Sequence, residues 1–168
     1  MLPAGTAIRQ NRLRMRISAK VDYAVRAGVE LAAADADPDH PVKGDVIADA
    51  QGIPLKFLEN ILGELKHVGI VNSRRGAHGG YWLNRAADEV TLADIVRAVE
   101  GPLATVRGQG PESLDYKGGA APLQKVWIAV RANLRAVMDR VTLADVVSGE
   151  LPENVRELSE PAEAWSPR

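Results

Sequence analysis

The chain of 168 residues contains no cysteine and few aromatic side chains, and its formal net charge is only −1. Without cysteine it can form no disulfide, no thiol nucleophile, and no zinc or iron–sulfur site held by cysteine. Aromatic residues make up 4% of the sequence, whereas small aliphatic residues are abundant. This composition argues against an aromatic-rich β-sandwich and predicts a mainly α-helical domain of ordinary size.

Long hydrophobic runs are also absent. No segment reaches the roughly 20 apolar residues of a membrane-spanning helix, and residues 1–20 lack the apolar core of a secretory signal. We therefore expect a soluble cytoplasmic protein with no membrane partner. Residues 1–14 carry basic side chains without apolar periodicity, so we expect a flexible N-terminal extension, or residues upstream of a native start at Met15.

The net charge is close to zero because two halves of opposite sign cancel. Residues 1–85 hold 12 Lys and Arg against 9 Asp and Glu, a net charge of +3, and residues 86–168 hold 9 against 13, a net charge of −4. Nucleic-acid binding depends on where positive charge lies and not on its sum. The positive charge of the N-terminal half is consistent with a DNA-binding face. An ordinary solvated surface explains the same distribution of charge equally well.

Three helices are predicted in the N-terminal half. Helical apolar spacing begins after Ser18, a suitable N-cap, and extends over 18–34. An acidic loop with two prolines separates this helix from a short one at 43–50. Gly52 and a following proline then mark a turn and the start of an amphipathic helix at 54–68. Two helices joined by so short a turn predict a helix-turn-helix.

A basic hairpin follows the third predicted helix. Residues 70–73 and 81–84 alternate as short strands, and two arginines and three glycines lie between them. A capped helix is predicted next, at 91–101. This order of elements is that of a winged helix-turn-helix, which we assign to residues 15–100.

The C-terminal part is predicted to contain a long loop, a long helix and a tail. Residues 101–121 are rich in Gly and Pro and form a loop that is either functional or disordered. Residues 122–151 comprise a helix at 122–141, whose wide apolar stripe needs a partner, and a following short helix. Residues 152–168, rich in Glu and Pro, are expected to be a flexible tail.

The start of that short helix repeats an earlier sequence. Thr-Leu-Ala-Asp-Val-Val at 142–147 echoes Thr-Leu-Ala-Asp-Ile-Val at 91–96. With only two copies, we interpret the repeat as reuse of a good helix-start sequence and not as a solenoid.

The third predicted helix carries side chains that can contact base edges. Lys56 can reach a phosphate or a guanine edge, and Asn60 can pair with adenine. Glu59 can accept from the amino group of cytosine. The alternative is an ordinary solvated helix face, and without the neighbouring hairpin that alternative would be the better one.

The hairpin tip adds positive charge to this surface. Arg74 and Arg75, with His78 beside them, can bind phosphates or enter the minor groove. The three histidines of the chain, which include His40 and His67, lack metal-ligand spacing, so no metal site is expected. No nucleophile–base pair, phosphate loop or paired carboxylates stand out, so we expect no enzyme.

Four segments carry a resemblance to a known family. They read Met-Arg-Ile-Ser-Ala-Lys-Val-Asp-Tyr-Ala at 15–24, Ile-Pro-Leu-Lys-Phe-Leu-Glu-Asn-Ile-Leu at 53–62, Ser-Arg-Arg-Gly-Ala-His-Gly-Gly-Tyr-Trp-Leu at 73–83, and the predicted helix at 91–101. These segments resemble the Rrf-two family of bacterial winged-helix transcription regulators. The resemblance covers about residues 15–145 and is most specific in the hairpin.

The resemblance implies a homodimer built on the long helix near 122–141 and a palindromic double-stranded DNA operator. The sequence itself leaves repressor and activator open, and of the two we expect a repressor. The positions implied to contact bases or phosphates are Lys56, Glu59, Asn60 and Arg75, and those implied to contact the DNA backbone are Ser18 and Lys20. The expected fold is mainly α, with a winged helix-turn-helix DNA-binding domain plus a long dimerisation helix.

The cysteine-free loop sets this chain apart from many members of that family. Those members hold an iron–sulfur cluster through three cysteines in the sensor loop that corresponds to 101–121, and this loop has none. We expect no cluster, no other cofactor and a colourless purified protein, with Asp22 capping or pairing locally. An unidentified small-molecule effector would act at this loop or at the joint between the winged domain and the dimerisation helix. Trp82, Tyr116 and Trp127 could line such a site, although we favour core packing for these side chains.

A second class of function stays open from the sequence. The chain could keep this fold and act as a protein-interaction module that regulates an enzyme by docking through its acidic half. Pull-down after nuclease treatment discriminates the two classes, because a DNA-binding protein loses most of its partners in that treatment.

Overall fold

The computed structural model describes residues 17–167, so the extension predicted at 1–14 lies outside the described residues. Within this range there are seven α-helices and one hairpin of two antiparallel strands. The helices are α1 (Ala19–Ala33), α2 (Gly44–Gln51), α3 (Leu55–His67), α4 (Leu92–Glu100), α5 (Leu123–Met138), α6 (Leu143–Ser148) and α7 (Glu153–Ser159), and the strands are β1 (Val71–Arg74) and β2 (Gly80–Leu83). The predicted mainly α fold is confirmed.

Local sequence explains where the first three helices begin and end. The Ser18 hydroxyl accepts a hydrogen bond from the Val21 N–H (3.2 Å), so Ser18 is the N-cap of α1 as expected. Gly52 ends α2 with a φ of +61°, a conformation that glycine adopts without strain. Pro54 is the N-cap of α3 and not its first residue. The resulting short turn between α2 and α3 is that of a helix-turn-helix.

One hydrophobic core lies between α1, α3, α4 and α6. Its buried side chains include Val21, Ala24, Ala27, Leu31, Ile47, Leu58, Ile61, Leu62, Leu65, Ile95, Val96, Val99 and Leu143. Gly28 lets α1 approach two of these elements closely, because a Cβ atom there would lie 3.1 Å from Ile95 and 3.2 Å from Leu143. Leu143 comes from α6, so the segment after the long helix returns to the winged domain.

The two copies of the repeated helix start lie side by side. Thr91 and Thr142 form an antiparallel β-bridge. The Leu92 N–H donates to the Val141 carbonyl (2.9 Å), and the Leu143 N–H donates to the Val90 carbonyl (3.0 Å). Each threonine also caps its own helix through a capping box with the aspartate three residues later. The repeat therefore joins α4 to α6 as well as starting both helices.

The hairpin is anchored to the segment before α2. Arg74 pairs with Gly80 next to the tip of the hairpin, and Val71 pairs with Leu83 at its base. Val42 adds a third short pairing, because its N–H donates to the Tyr81 carbonyl (2.9 Å) and its carbonyl accepts from the Tyr81 N–H (2.7 Å). The wing is thereby fixed against the helix-turn-helix.

The long loop folds against one side of α5. Within residues 101–121, Leu103, Pro111 and Leu114 are buried. The Gln124 side-chain amide donates to the Leu114 carbonyl (2.7 Å), and Arg131 pairs with Glu112. Burial and these hydrogen bonds give the loop a defined conformation on α5, although no residue of α5 itself is buried.

The segment predicted to be a flexible tail contains helical structure. Helix α7 begins directly after Pro152, and a 3-10 turn spans Ala162–Trp165. The Asn154 amide donates to the Ala136 carbonyl of α5 (2.9 Å), which ties α7 to the long helix. A proline before the first turn and a glutamate within it both favour the start of a helix. The prediction of a flexible tail used only the high content of these residues and not their order.

Candidate nucleic-acid interface

The side chains predicted to face bases share one side of α3. Lys56, Glu59 and Asn60 are all exposed, whereas the opposite side of the helix is buried in the core. Positions three and four residues apart are neighbours on a helix surface, so these three side chains form one polar strip. The strip includes a cation, a carboxylate and an amide, which together can bind phosphate and read base edges.

The hairpin tip forms the wing and is exposed. The Arg74 guanidinium donates to the His78 carbonyl (3.1 Å), which closes the tip, and Arg75 lies free of any ion pair within residues 17–167. Gly79 is required at this turn, because a Cβ atom there would lie 2.1 Å from the Arg74 carbonyl oxygen. The predicted residues Arg74, Arg75 and His78 are thus gathered in one tip.

The wing and α3 make up a single surface. The Lys66 ammonium donates to the Ser73 hydroxyl (2.7 Å), which joins the end of α3 to β1. Burial raises the pKa of the Tyr81 phenol, and the negative charge of Glu59 raises it further. Tyr81 of β2 lies beside the start of α3, since a Cβ atom on Gly44 would be 3.5 Å from the Tyr81 ring and 3.7 Å from the Leu55 side chain.

Two cations at this surface were not among the predicted contacts. Lys43 is the exposed N-cap of α2 and lies beside the first residue of β2, since a Cβ atom on Gly80 would be 3.1 Å from its backbone nitrogen. Lys66 is exposed in the last turn of α3. In the sequence these are simply lysines at the two ends of the helix-turn-helix. They become candidates for DNA contact only because the fold brings both ends beside the wing.

The two residues at the start of α1 that are implied to contact the DNA backbone have partners within the chain. The Ser18 hydroxyl donates to the carboxylate of Glu100 at the end of α4. The Lys20 ammonium lies 2.9 Å from the Glu64 carboxylate of α3. Lys20 therefore flanks α3, and either group would have to exchange a carboxylate for a phosphate to contact DNA.

Asp22 and the three aromatic side chains of the expected effector site also have defined surroundings. Asp22 pairs with Arg26 at 2.9 Å, the local pairing expected for it. The preference for core packing of the aromatic side chains is wrong, because Trp82, Tyr116 and Trp127 are all only half-buried. The Trp127 indole N–H donates to the Tyr116 hydroxyl (3.0 Å), which joins α5 to the loop.

Comparisons with known proteins agree with this architecture. The sequence profile of the Rrf2 family, described as iron-dependent transcriptional regulator, matches residues 17–149. An HTH-type transcriptional regulator of Mycobacterium tuberculosis, Rv1287, is 48% identical over 146 residues, covering 87% of this chain and 89% of the relative. CymR of Bacillus subtilis is 34% identical over 134 residues, covering 80% and 91%.

Two solved structures have the same fold over most of the chain. The structure of CymR from B. subtilis, titled the global cysteine regulator, has a TM-score of 0.67 and 32% identity, covering 81% of this chain and 98% of that one. The structure of IscR from T. potens has a TM-score of 0.62 and 29% identity, covering 85% and 96%.

The iron in the family description does not fit the donor groups of this chain. The sequence has no cysteine, and residues 17–167 contain no group of three or more His, Asp or Glu side chains arranged to hold a metal ion. Nor is any helix in that range long and apolar enough to cross a membrane.

The family profile, the relatives and the fold agree with one another. The chain belongs to the Rrf2 family, a family of transcriptional regulators and not of enzymes.

Proposed function

We propose that the chain is a sequence-specific DNA-binding repressor that acts in the cytoplasm as a homodimer on a palindromic operator, without an iron–sulfur cluster. The observation that carries this proposal is the continuous exposed surface formed by α3 and the wing. Lys56, Glu59 and Asn60 are exposed on α3, and Lys66 in the last turn of the same helix binds Ser73 of β1, directly before the basic wing tip at 74–78. An exposed helix with mixed polar groups suits the major groove, and the flanking arginines suit phosphates or the minor groove.

The division of labour follows from the chemistry of these groups. Contacts to phosphates fix a protein on the duplex without reading its sequence, whereas contacts to base edges discriminate between sequences. We assign the first task to Arg74 and Arg75, and the second to Asn60 and Glu59, whose amide and carboxylate match adenine and cytosine edges. Lys56 can serve either task.

The exposed side of α5 supports the proposed homodimer. Leu123, Val126, Val130 and Leu134 follow one another at spacings of three, four and four residues, and so form one stripe. Leu123, Val126 and Leu134 are 38%, 48% and 38% exposed, although they are large apolar side chains. The long loop covers a different side of the helix, through Gln124 and Arg131. A second copy would bury the stripe, and its two-fold axis would match a palindromic site.

Loss of a wing arginine should weaken DNA binding in a salt-dependent way. We expect Arg75→Ala to lower affinity for a duplex carrying the chain's own promoter region by about tenfold and to reduce the slope of log K against log salt by about 1. The reason is the loss of one phosphate or groove contact from an exposed guanidinium. Fluorescence anisotropy at several salt concentrations measures both quantities.

The matched control is Arg156→Ala, which removes an arginine of α7 far along the chain from the wing. It should leave affinity and slope within about twofold of wild type. Absent or salt-insensitive binding by wild type and Arg75→Ala alike would contradict the proposed function.

A charge in the α5 stripe should separate the protomers. We expect Val130→Glu to raise the dimer dissociation constant by about 100-fold or more, because each protomer would bury an unpaired carboxylate near the two-fold axis. Ala132→Glu, an exposed position on the other side of α5, serves as the control and should leave the dimer intact. Sedimentation velocity gives the assembly state; a wild-type monomer, or a dimeric Val130→Glu variant, would exclude this interface.

The start of the long loop is the place we propose for an effector. A surface cleft of about 380 Å³ lies where α4 passes into the loop, and it is lined by Arg97, Gly101, Pro102, Leu103 and Arg135. Arg97 also pairs with Asp139 at 2.8 Å, so the cleft lies beside the link between α4 and the end of α5. A ligand changes DNA binding only if it favours one of two arrangements, and this link joins the DNA-binding and dimerisation elements.

A further inference from the structure

Helix α2, the first helix of the helix-turn-helix, buries little apolar surface against the rest of the protein. It has eight residues, and only Ile47 and Ala48 among them are buried. So small a contact leaves the helix free to pivot unless its ends are held. Its first end is held by the pairing of Val42, just before the helix, with Tyr81 of β2.

The second end of α2 is held by two side chains of α1. The Arg26 guanidinium donates to the backbone carbonyl of Gln51, the last residue of α2, at 2.7 Å. The side-chain amide of Gln51 donates to the Glu30 carboxylate. Carbonyls at the end of a helix lack partners within it and carry partial negative charge, so a guanidinium is well suited to bind one.

Arg26 is itself fixed on the side that faces α3. Its guanidinium carbon lies 4.9 Å from the centre of the Tyr23 ring, within the range of a cation–π contact. The Tyr23 ring meets the Phe57 ring of α3 edge to face, with the ring centres 5.7 Å apart. A second nitrogen of Arg26 lies 2.9 Å from the Asp22 carboxylate, and Nε is buried. One planar group thus contacts α2 directly and α3 through a single aromatic ring.

We propose that Arg26 is a positioning residue for DNA recognition, which fixes the angle between α2 and α3 by binding the Gln51 carbonyl while it rests on Tyr23. The inference rests on the proposed function and adds a residue outside the DNA-facing surface. Both terminal nitrogens of Arg26 are engaged within the chain, so it acts through the helices and not by contact with DNA. A fixed angle matters for base contacts and matters little for the general attraction between positive charge and phosphates.

The test compares two DNA duplexes of equal length, one with the chain's own promoter region and one of unrelated sequence. We expect Arg26→Met to lower affinity for the promoter duplex by about tenfold while affinity for the unrelated duplex stays within about twofold. Arg26→Lys keeps the charge and can still reach the Gln51 carbonyl, but it lacks the planar group that rests on Tyr23, so its discrimination should be intermediate. Asp22→Asn removes the exposed ion pair, keeps the Gln51 contact and should discriminate like wild type.

Each other outcome counts against the proposal. A parallel loss on both duplexes by Arg26→Met and Arg26→Lys would show a merely structural role, and unchanged discrimination by Arg26→Met would show no role. Hydrogen exchange of the α2 amides, which should speed up in Arg26→Lys while the α3 amides keep their protection, gives a reading independent of DNA. If wild type does not distinguish the duplexes, the proposed function fails and this inference fails with it; if wild type does and the variants match it, only this inference fails.

Discussion

Truncation of Leu143 should strongly destabilise the protein. We expect Leu143→Ala to lower the free energy of unfolding by about 2–5 kcal/mol, the usual cost of removing a fully buried leucine side chain. Leu143 is 0% exposed, and its methyl groups lie where α1 carries Gly28. The tight contact at Gly28 leaves an empty space after truncation that small neighbouring residues cannot fill.

The matched control is Val147→Ala, four residues further along the same helix. Val147 is 45% exposed, so its truncation should change the free energy of unfolding by less than about 0.5 kcal/mol. Urea unfolding of wild type and both variants at one protein concentration measures the difference, since dimerisation links stability to concentration. Equal destabilisation by the two variants would mean that α6 does not pack on the winged domain through Leu143.

A bulkier residue at Gly80 should abolish specific DNA binding by displacing the wing. We expect Gly80→Val to lower affinity for the promoter duplex by about 100-fold or more, because both wing arginines lose their position together. A Cβ atom on Gly80 would lie 2.6 Å from the Val42 carbonyl oxygen, and its φ of +153° is rarely adopted by other residues. The substitution therefore breaks the pairing that anchors the hairpin.

Gly76→Ala separates the clash from backbone strain in the same wing. Gly76 has a φ of +104°, but a Cβ atom there would meet no atom within 4 Å. The Gly76→Ala substitution should introduce at most about 1–3 kcal/mol of local backbone strain. It should therefore lower the affinity for DNA far less than Gly80→Val does. Fluorescence anisotropy reports the affinities, and circular dichroism shows whether the helices persist. Full affinity in Gly80→Val would mean that the wing does not contact DNA.

The prediction of the winged domain from sequence worked because its signals are local. Ser18, Gly52 and Thr91 start or end helices through contacts within a few residues, and the apolar face of α3 follows from helical spacing alone. The exposed strip on α3 follows from the same spacing, although its contacts with DNA remain predictions. The predicted boundaries of the helices in this domain differ from the observed ones by about one residue, because a residue at a helix end can belong to either the cap or the helix.

The less successful predictions concern side chains whose surroundings come from distant parts of the chain. Trp127 was expected in a core and instead binds Tyr116 on the loop, because the side of α5 that carries Trp127 packs against that loop. The tail was expected to be loose, yet Asn154 binds an α5 carbonyl. The composition of a segment indicates how much apolar surface it has, but it does not indicate which other segment packs against that surface.

The sequence by itself determined the order of the elements from α1 to α6, the helix caps, the polar strip of α3 and the absence of any cysteine ligand, since these depend on neighbours within a turn or two or on composition alone. Only the tertiary structure decided that the two Thr-Leu-Ala-Asp segments pair, that Ser18 meets Glu100 at a separation of 82 residues, and that Arg26 holds the end of α2. Such contacts form because burying the shared core brings distant segments together, and no local spacing encodes which polar groups then face each other.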